Sequence, residues 1–546
     1  LGRSCWVFEQ DNEIIVIDAG IGFVPHGFSG GVDYVLPNID YLKKNKDKIQ
    51  AIIISNPHEE YAANLCNLAT ELEVKSLVLP PILKALHQKQ FSADTEVTTL
   101  EHNQEISIGK SFSLIPFQVS FSTVDAFSLL VKTSTTSFFY TGPFKIDHAP
   151  PIRTGRYELQ TISNAITESG VDILISSSSN VESPGYTGSE SSVIGKLTGI
   201  LEQAKGRVFA LTCSSYTHRL KVLLDAAIKT NRKVCLLGHE IEDWYSAAVD
   251  CGYLKYDKKL FISKDEIEGS KLKPEEILII VGSLEGDVLK PFVQLSYKEH
   301  PEASLKEGDT IFISANPPLG TTRMLANAVD QLFLLGVTVI GGRDSGVHVN
   351  GYASQEELKF LYNVARPKYF VPSHGESRHL VLHAELIAKA GIDPKNAIII
   401  DNGCVVDFDP PKDKIEVSGK VPFKSIFFNK QLDGEMGHQH VEERRSLSED
   451  GTLTLALAVD LENGQVVSKP QIALCGCSYD RNSAWPEVKE KIETNIINIV
   501  SKALQQGKKD VGSLRHLIHD ILNRALREKY GMSRPLISIV IQDVKN

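Results

Sequence analysis

The sequence lacks several features that would assign the protein to a special class. Its eight cysteines include no C-x-x-C pair, which argues against a zinc knuckle and favours free thiols in a reducing cytoplasm. No apolar run reaches the roughly 20 residues that span a bilayer, and no signal-peptide pattern opens the chain. With 58 basic and 68 acidic residues the net charge is −10. This argues against a basic surface over the whole protein that would bind nucleic acid, although one face could still be basic. We therefore expect a cytoplasmic protein without membrane contact.

Length and composition indicate an ordinary globular protein. The 546 residues are enough for two to four domains, and 42% hydrophobic with 23% charged residues is typical of packed cores. The chain begins with Leu1 rather than methionine, so we expect some residues upstream. There is no internal repeat and no low-complexity tract.

The spacing of apolar residues changes twice along the chain. Up to about residue 150, short β-rich runs separated by turns predict a sheet sandwich. From Ser189, strands alternate with helices, which predicts a parallel sheet, and Ile398–Asp401 and Val405–Phe408 then return to β character. The stretch 421–451 has no sustained periodicity and is interpreted as a linker. A compact α+β module with two amphipathic helices follows it, and Asn463-Gly464 marks a hairpin in this module.

The stretch Ile52–Asn64, IIISNPHEEYAAN, passes from an apolar strand through a polar loop into a helix. Such a loop is suited to presenting side chains into a cleft. It holds His58 beside Glu59 and Glu60, but it has fewer ligand side chains than a metal-binding loop needs.

Several stretches together resemble a known family. They occur in family order and cover essentially the whole chain: IVIDAG at 15–20, VDYVLPNIDYL at 32–42, the loop at 52–64, TGPFKID at 141–147, NVESPGYTGSE at 180–190, VHVNGYASQEELK at 347–359, RPKYFVPSHGESRHL at 366–380, and the C-terminal module. On these motifs the chain is similar to bacterial ribonuclease J, a metallo-β-lactamase-fold nuclease with an inserted β-CASP domain. The family processes RNA with two zinc ions, as a 5′→3′ exonuclease and as an endonuclease.

The resemblance implies an α/β architecture. It predicts a split metallo-β-lactamase αββα sandwich at 1–188 and 346–420, with a β-CASP domain inserted at 189–345. The linker at 421–451 and a small α+β C-terminal domain at 452–546 complete the predicted organisation.

The resemblance also implies where metal ligands would lie, and most of these positions hold other side chains. The His-x-His-x-Asp-His loop of the family corresponds to Asn56, His58, Glu60 and Tyr61. Its next histidine falls at Phe121, the metal-bridging aspartate at Pro143, a β-CASP acid at Ser177 and a β-CASP histidine at Tyr352. The last ligand is His374 in PSHGE. A catalytic zinc has three protein ligands as a rule, so we predict no bound zinc, no other cofactor and no catalysis by the family mechanism.

Three side chains keep a weaker alternative open. His58, Glu60 and His374 could bind one Mn²⁺ or Mg²⁺, which accept carboxylate oxygen. Because the partner ligands are missing, we favour His374 as a hydrogen-bonded structural residue. Asp18 of the DAG turn could simply accept backbone hydrogen bonds.

The resemblance further implies a pocket for the 5′-monophosphate of RNA, at Ser215, His348, Asn350 and Gly351. Asn350 replaces a serine but keeps a donor. Ser214-Ser215 could instead cap the helix that follows. At Leu284-Glu285 the chain departs from a polar, glycine-bearing pair, which weakens the expectation of RNA contacts there.

Three functional hypotheses follow. The first is a non-catalytic ribonuclease J-like subunit that positions RNA or supports an active ribonuclease J paralogue in a homo- or hetero-oligomer. The second is an active metal-dependent nuclease with an altered site. The third is a free-standing RNA-binding protein, whose affinity would fall as salt rises.

Overall fold

The computed structural model describes residues 2–23, 30–269, 272–316, 320–341, 345–429, 434–477, 485–526 and 535–544. The chain divides into two compact units, residues 1–27 with 34–426, and residues 28–33 with 427–546. Within the described residues, no helix combines the length and the hydropathy that a membrane span requires.

The first unit begins with a five-stranded sheet. Its strands are β1 (Trp6–Gln10), β2 (Glu13–Ile17), β4 (Ile49–Ile53), β5 (Ser76–Leu79) and β6 (Glu96–Thr99), in that spatial order, while β3 (Tyr34–Leu36) lies outside this sheet. Strands β2 to β6 of the sheet run parallel, and β1 is antiparallel to β2. Four short helices accompany it: α1 (Asp40–Lys44), α2 (Glu59–Ala62), α3 (Leu65–Glu71) and α4 (Pro81–His87). The apolar side chains Leu42, Leu65 and Leu83 cover its outer face.

A second sheet packs against the inner face of the first. It contains β7 (Ile106–Ile108), β8 (Phe112–Val119), β9 (Ala126–Lys132), β10 (Ser137–Tyr140), β11 (Ile173–Ser177) and β17 (Tyr369–Ser373), in the order β17-β11-β10-β9-β8-β7. Alternate residues of both sheets, such as Ile53 and Leu129, meet in one core between them. Its outer face is covered by α5 (Leu159–Ser169), α12 (Gln355–Ala365) and α13 (Ser377–Ala390). The result is a helix–sheet–sheet–helix sandwich.

A third sheet lies between β11 and β17 in the chain and is entirely parallel. Its strands are β12 (Val208–Cys213), β13 (Lys233–Leu237), β14 (Ile277–Ser283), β15 (Thr310–Ile313) and β16 (Thr338–Ile340), in the order β13-β14-β12-β15-β16. Helices α6 (Ile194–Gln203), α7 (Thr217–Lys229) and α8 (His239–Asp250) cover one face. Helices α9 (Lys264–Gly269), α10 (Leu289–Ser296) and α11 (Thr322–Leu334) cover the other. Continuous apolar strands such as VFALTC in β12 are typical of a sheet buried on both faces.

A hairpin and the second unit complete the chain. The hairpin joins β18 (Cys404–Asp409) to β19 (Lys414–Lys420). Next come β20 (Ile426–Asn429), β21 (Gly434–Met436), α14 (His438–Asp450), β22 (Thr452–Asp460), β23 (Gln465–Val466), β24 (Gln471–Cys475), α15 (Trp485–Gln505), α16 (Val511–Arg524) and β25 (Leu536–Asp543). Strand β22 pairs antiparallel with β24 and parallel with β25. The apolar faces of α15 and α16 share one core with β22.

Most of the strands and helices predicted from the sequence appear in this structure, with two differences. Residues 398–401, predicted as a strand, form none, because a single backbone bond from Ile398 to Phe370 anchors the segment and no ladder follows. The stretch 421–451, interpreted as a linker, contains strands β20 and β21 and helix α14. No side chain of α14 is buried. Its sequence therefore needs no apolar stripe, and periodicity could not predict the helix. The predicted domain borders at residues 188, 346 and 420 stay predictions.

Candidate functional site

The loop after β4 places Asn56 and His58 at the carboxyl end of that strand. Asn56 Oδ1 accepts a hydrogen bond from the His58 backbone N–H at 2.8 Å, and His58 Nδ1 accepts one from the Glu60 N–H at 3.4 Å. His58 is thus the N-cap of α2, and both side chains are fully buried. The loop is held by its own polar groups, as is usual where a strand turns directly into a helix.

Three side chains from distant parts of the chain meet beyond this loop. The Tyr352 hydroxyl donates to Glu60 Oε2 at 2.9 Å and lies 3.2 Å from His374 Nε2. His374 Nε2 is itself 3.2 Å from Glu60 Oε2. Burial alone would raise the pKa of Glu60, but the hydrogen bond and charge of His374 outweigh it and lower the pKa to about 2. Glu60 is therefore a buried carboxylate whose Oε2 is already bound by two protein groups.

Aromatic rings fill the remaining space around these polar groups. The Phe121 ring meets the His58 ring edge-on at 5.7 Å and the Tyr352 ring at 5.1 Å. Tyr61, which is fully buried, stacks on His374 with ring centroids 4.7 Å apart. Rings at these separations pack favourably, so histidine and aromatic side chains form one continuous contact.

Pro143 and Ser177 lie on neighbouring segments of the second sheet. Pro143 is buried in the loop after β10 and offers no side-chain ligand atom. Ser177 ends β11, next to Ser373 of β17 and hence near His374. Its Oγ is buried and has no hydrogen-bond partner among the described residues. We call the nine residues at these sequence-predicted positions the ligand-position cluster: Asn56, His58, Glu60, Tyr61, Phe121, Pro143, Ser177, Tyr352 and His374.

Asp18, in the DAG turn, supports the fold beside this cluster. It has a left-handed φ of 69° and is completely buried. Its carboxylate accepts hydrogen bonds from the Ser55 backbone N–H at 2.8 Å and the Tyr140 hydroxyl at 2.6 Å. These hydrogen bonds lower the pKa of Asp18, but burial outweighs them and raises it to about 6. Asp18 thus holds the start of the loop after β4 in place.

The predicted 5′-phosphate pocket is assembled around the third sheet. Ser215 is buried between β12 and α7, and its Oγ donates to Glu59 Oε2 at 2.9 Å. Asn350 Nδ2 donates to Asn180 Oδ1 at 3.1 Å. Gly351 lies so close to Phe121 and Ser122 that a Cβ would come within 2.8 Å of both side chains. The side-chain donors of Ser215 and Asn350 are therefore engaged within the protein.

His348 is the pocket residue with a ring nitrogen to spare. The Arg219 guanidinium approaches its Nδ1 at 3.4 Å. Nε2 is buried, with no partner among the described residues. Burial, together with the charge of Arg219, lowers the pKa of His348 to about 3, so the ring is neutral. One nitrogen of a neutral imidazole is therefore not used by the described residues.

Three buried charged residues beside the pocket were not predicted from the sequence. Lys145 Nζ lies 2.8 Å from Glu190 Oε1, and Arg219 Nη2 lies 3.1 Å from Glu190 Oε2. All three side chains are at most 1% exposed. Burial would raise the pKa of Glu190, but the charges of Lys145 and Arg219 hold it at about 2. We call Lys145, Glu190 and Arg219 the charged network.

The charged network holds the backbone of the pocket. Lys145 Nζ donates to the carbonyls of Gly188 and Asn350, each at 3.1 Å. Arg219 donates to the Val347 carbonyl at 3.0 Å and to Ser314. The network thus ties the segment 347–350 to the second and third sheets. The available signals in the sequence were Lys145 inside the quoted motif TGPFKID and Glu190 at the end of NVESPGYTGSE.

Comparison with known proteins identifies the family. Residues 205–332 match the family model "Ribonuclease J, beta-CASP domain", residues 439–544 the "Ribonuclease J C-terminal domain", and residues 337–398 the "Zn-dependent metallo-hydrolase RNA specificity domain". The chain is 30% identical to Ribonuclease J2 of Bacillus subtilis over 549 residues, covering 100% of this chain and 97% of that protein. The chain belongs to the ribonuclease J family.

Other ribonuclease J relatives give the same result. The chain is 34% identical to Ribonuclease J of Synechocystis sp. over 86% of its length and 73% of that protein. It is 28% identical to Ribonuclease J 1 of Streptococcus pyogenes, over 100% of this chain and 96% of that protein. A solved protein of unknown function from Enterococcus faecalis, with a TM-score of 0.47 and 16% identity over 73% of this chain and 95% of that one, says nothing about function. The sandwich and the parallel sheet are therefore the metallo-β-lactamase and β-CASP parts of a ribonuclease J fold.

The ligand-position cluster does not fit the two zinc ions that the family resemblance implies. Of its nine residues, only His58, Glu60 and His374 carry an imidazole or a carboxylate. Glu60 and His374 are bonded to each other, and Pro143 stands where a bridging acid would be needed. In the part of the chain that the structure describes, no group of three or more His, Cys, Asp or Glu side chains could hold a metal ion. Zinc sites require three or four such ligands around each ion.

Proposed function

We propose that this chain is a non-catalytic, cytoplasmic ribonuclease J-like subunit that positions RNA or supports an active ribonuclease J. One observation carries the proposal: Tyr352 and His374 both bind the same carboxylate oxygen of Glu60. Binding a metal would require these contacts to be exchanged for coordination bonds in a site that lacks further ligands.

The packing around this ion pair supports the same proposal. Phe121 and Tyr61 contact His58 and His374 through ring faces and edges, and they supply neither an imidazole nor a carboxylate. Displacing these rings would open apolar cavities in a buried region. Leaving the buried Glu60 carboxylate without its partners would also be costly, because its desolvation penalty would remain. Opening the cluster for a metal ion would therefore cost both ring packing and hydrogen bonding.

The RNA-binding part of the proposal rests on the pocket at His348. Its Nε2 has no partner among the described residues, and the charged network fixes the backbone around it. A neutral imidazole that carries its proton on Nε2 can donate a hydrogen bond to a phosphate oxygen. The match of residues 337–398 to an RNA-specificity domain supports RNA as the ligand.

A metal analysis combined with a nuclease assay tests the loss of catalysis. The purified chain is assayed on 5′-monophosphorylated RNA with Zn²⁺, Mn²⁺ or Mg²⁺, beside an active ribonuclease J as positive control and a His374→Ala variant. We expect less than one zinc per chain and no turnover above that of the variant. Turnover that disappears in His374→Ala would establish the alternative, an active nuclease with an altered site. That alternative is favoured only by the proximity of Glu60 to His374.

Co-expression with an active ribonuclease J of the same cell tests the partner. We expect the two chains to co-purify and the active subunit to change its cleavage pattern or rate when this chain is present. Recovery of self-oligomers alone, with the paralogue demonstrably present, would contradict the supporting role. RNA binding that falls with salt, in the absence of any such partner, would instead favour a free-standing RNA-binding protein.

A further inference from the structure

A glutamate side chain of the loop after β4 bonds to a residue of the predicted 5′-phosphate pocket. Glu59 is the first residue of α2, and it is only 5% exposed. Its Oε2 accepts a hydrogen bond from the Ser215 hydroxyl at 2.9 Å and lies 3.6 Å from His58 Nε2. A hydroxyl has a single proton to donate. An anion that binds at Ser215 must therefore compete with the Glu59 carboxylate.

The other polar atoms around Ser215 carry no charge. Ser214 Oγ, Ser283 Oγ and His348 Nε2 are buried and have no hydrogen-bond partner among the described residues. The Ser214 N–H donates to the Ser283 carbonyl at 2.9 Å, and the Tyr216 ring stacks on that of His348 at 6.2 Å, so these atoms lie around the turn between β12 and α7. Hydroxyls and a neutral imidazole can bind an RNA end through hydrogen bonds, but they supply no positive charge for a phosphate.

The charged network supplies no surplus positive charge either. Its two cations, Lys145 and Arg219, both bind Glu190, at 2.8 and 3.1 Å. Asp147, which is 2% exposed, adds a second acid, and its Oδ2 accepts a hydrogen bond from the Glu190 N–H at 2.8 Å. When Glu59 is counted, the two basic side chains stand against three acidic ones. A 5′-monophosphate carries roughly two negative charges at neutral pH, so acids around the pocket oppose its binding.

We propose that Glu59 is a specificity-determining residue that limits the binding of a 5′-monophosphate in this pocket. Its carboxylate engages the Ser215 hydroxyl and repels the phosphate, so tight binding requires Glu59 to turn away from Ser215. The preference of the chain for 5′-monophosphorylated RNA over the same RNA with a 5′-hydroxyl is therefore smaller than the hydrogen-bonding groups of the pocket would allow. This inference rests on the RNA-binding role proposed above and adds the residue that sets the preference for the RNA end.

Replacing the carboxylate with an amide tests the proposal. Fluorescence anisotropy at low salt gives the affinities of the wild type and of Glu59→Gln for one RNA that carries either a 5′-monophosphate or a 5′-hydroxyl. The ratio of the two affinities should rise about tenfold or more in Glu59→Gln, because the amide keeps the size of the side chain and removes the charge that opposes the phosphate. The matched control is Glu202→Gln, which removes an exposed acid paired with Lys229 and should leave the ratio unchanged.

A second substitution tests whether Glu59 acts through Ser215. Ser215→Ala should lower the ratio more in the Glu59→Gln background than in the wild type, since an amide competes for the serine hydroxyl more weakly than a carboxylate does. Equal effects in the two backgrounds would overturn this coupling. Thermal unfolding of each variant checks that the fold is intact.

The outcomes separate this inference from the RNA-binding role on which it rests. An unchanged ratio in Glu59→Gln, in a chain that binds RNA, would overturn the inference and leave that role standing. So would an equal rise in Glu202→Gln, because the effect would then come from net charge alone. If no variant binds RNA, adenosine 5′-monophosphate and adenosine serve as probes. Tighter binding of the monophosphate by Glu59→Gln than by the wild type would then support the inference and contradict RNA binding, and no binding of either probe would contradict both.

Discussion

The ligand-position cluster and the charged network are both buried parts of the same unit, but they are built in different ways. The ligand-position cluster contains one ion pair, Glu60 with His374, surrounded by the rings of Tyr61, Phe121 and Tyr352. The charged network contains three full charges, completed by main-chain carbonyls.

This difference predicts how strongly a substitution in each region lowers the stability of the fold. Aromatic packing is additive over many weak contacts, so losing one group there should cost a moderate amount. A buried charge is stable only while its partners are complete, because the desolvation penalty remains when a partner is lost. We therefore expect the charged network to be the more sensitive region, and the following predictions test that ranking.

The largest effect is expected from Glu190→Gln. The substitution leaves Lys145 and Arg219 buried without a counter-charge and should lower the free energy of unfolding by about 3–5 kcal/mol. Urea denaturation followed by fluorescence measures it. Glu202→Gln is the matched control, because Glu202 forms an exposed pair with Lys229 at 3.5 Å and should contribute less than about 1 kcal/mol. Equal losses in the two variants would contradict the importance of the network.

A smaller effect is expected from Tyr352→Phe. The ring contacts with Phe121 and His374 remain, but Glu60 loses one donor, which should cost about 2 kcal/mol for a hydrogen bond to a charged group. The same denaturation experiment applies, with Tyr186→Phe as control because Tyr186 is 68% exposed. A loss larger than that of Glu190→Gln would reverse the ranking of the two regions.

Moderate acid should destabilise the pocket side and spare the cluster. Burial lowers the pKa of His218 to about 4 and of His348 to about 3, from an ordinary value of 6.5. A histidine held neutral in the folded state stabilises the fold fully above 6.5, and this stabilisation is lost as the pH falls toward those lowered values. Glu60, with a pKa of about 2, stays ionised throughout this range.

A variant isolates this pH effect. Between pH 7 and 5.5, His348→Gln should lose about 1 kcal/mol less stability than the wild type, because glutamine cannot be protonated in this range whereas histidine can. Thermal unfolding at several pH values measures it. His516→Gln is the control, since its side chain is exposed on α16. An identical pH profile for wild type and His348→Gln would refute the assignment.

The smallest effect concerns RNA. Removing the unused ring nitrogen with His348→Ala should weaken binding of 5′-monophosphorylated RNA about fivefold, the worth of a single hydrogen bond. Binding of the same RNA with a 5′-hydroxyl should change little. Fluorescence anisotropy at low salt measures both, with His239→Ala as control. An equal loss for both RNAs would mean that His348 contributes to folding rather than to recognition of the RNA end.

The fold was predictable to a large extent because periodicity reports burial. The alternation of strands and helices from Ser189 predicted the parallel sheet that contains β12 and β14, and Asn463-Gly464 marked the hairpin between β22 and β23. Helix α14 was not anticipated, since a helix without a buried face leaves no pattern in the sequence. Residues 398–401 were wrongly assigned to a strand because a short apolar run does not distinguish a ladder from a single anchored bond.

The roles of the nine ligand positions stay a prediction, and their contacts could not be anticipated from the sequence. The structure brings three of these positions, Glu60, His374 and Tyr352, together. Motif order gave no sign that Ser215 would be engaged by Glu59 or that Arg219 would lie beside His348. These contacts depend on separations of a few ångströms between side chains far apart in the chain.

By itself, the sequence determined which chemical groups are available: His58, Glu59 and Glu60 after β4, a proline and a serine where the resemblance implies acids, and His374. Only the tertiary structure decided what these groups do. It joins Tyr352 to Glu60 across 292 residues of sequence and places both against His374. The physical reason is that sequence specifies side-chain chemistry, whereas hydrogen bonding and desolvation depend on distance and burial, which arise only when the two sheets and their loops pack together.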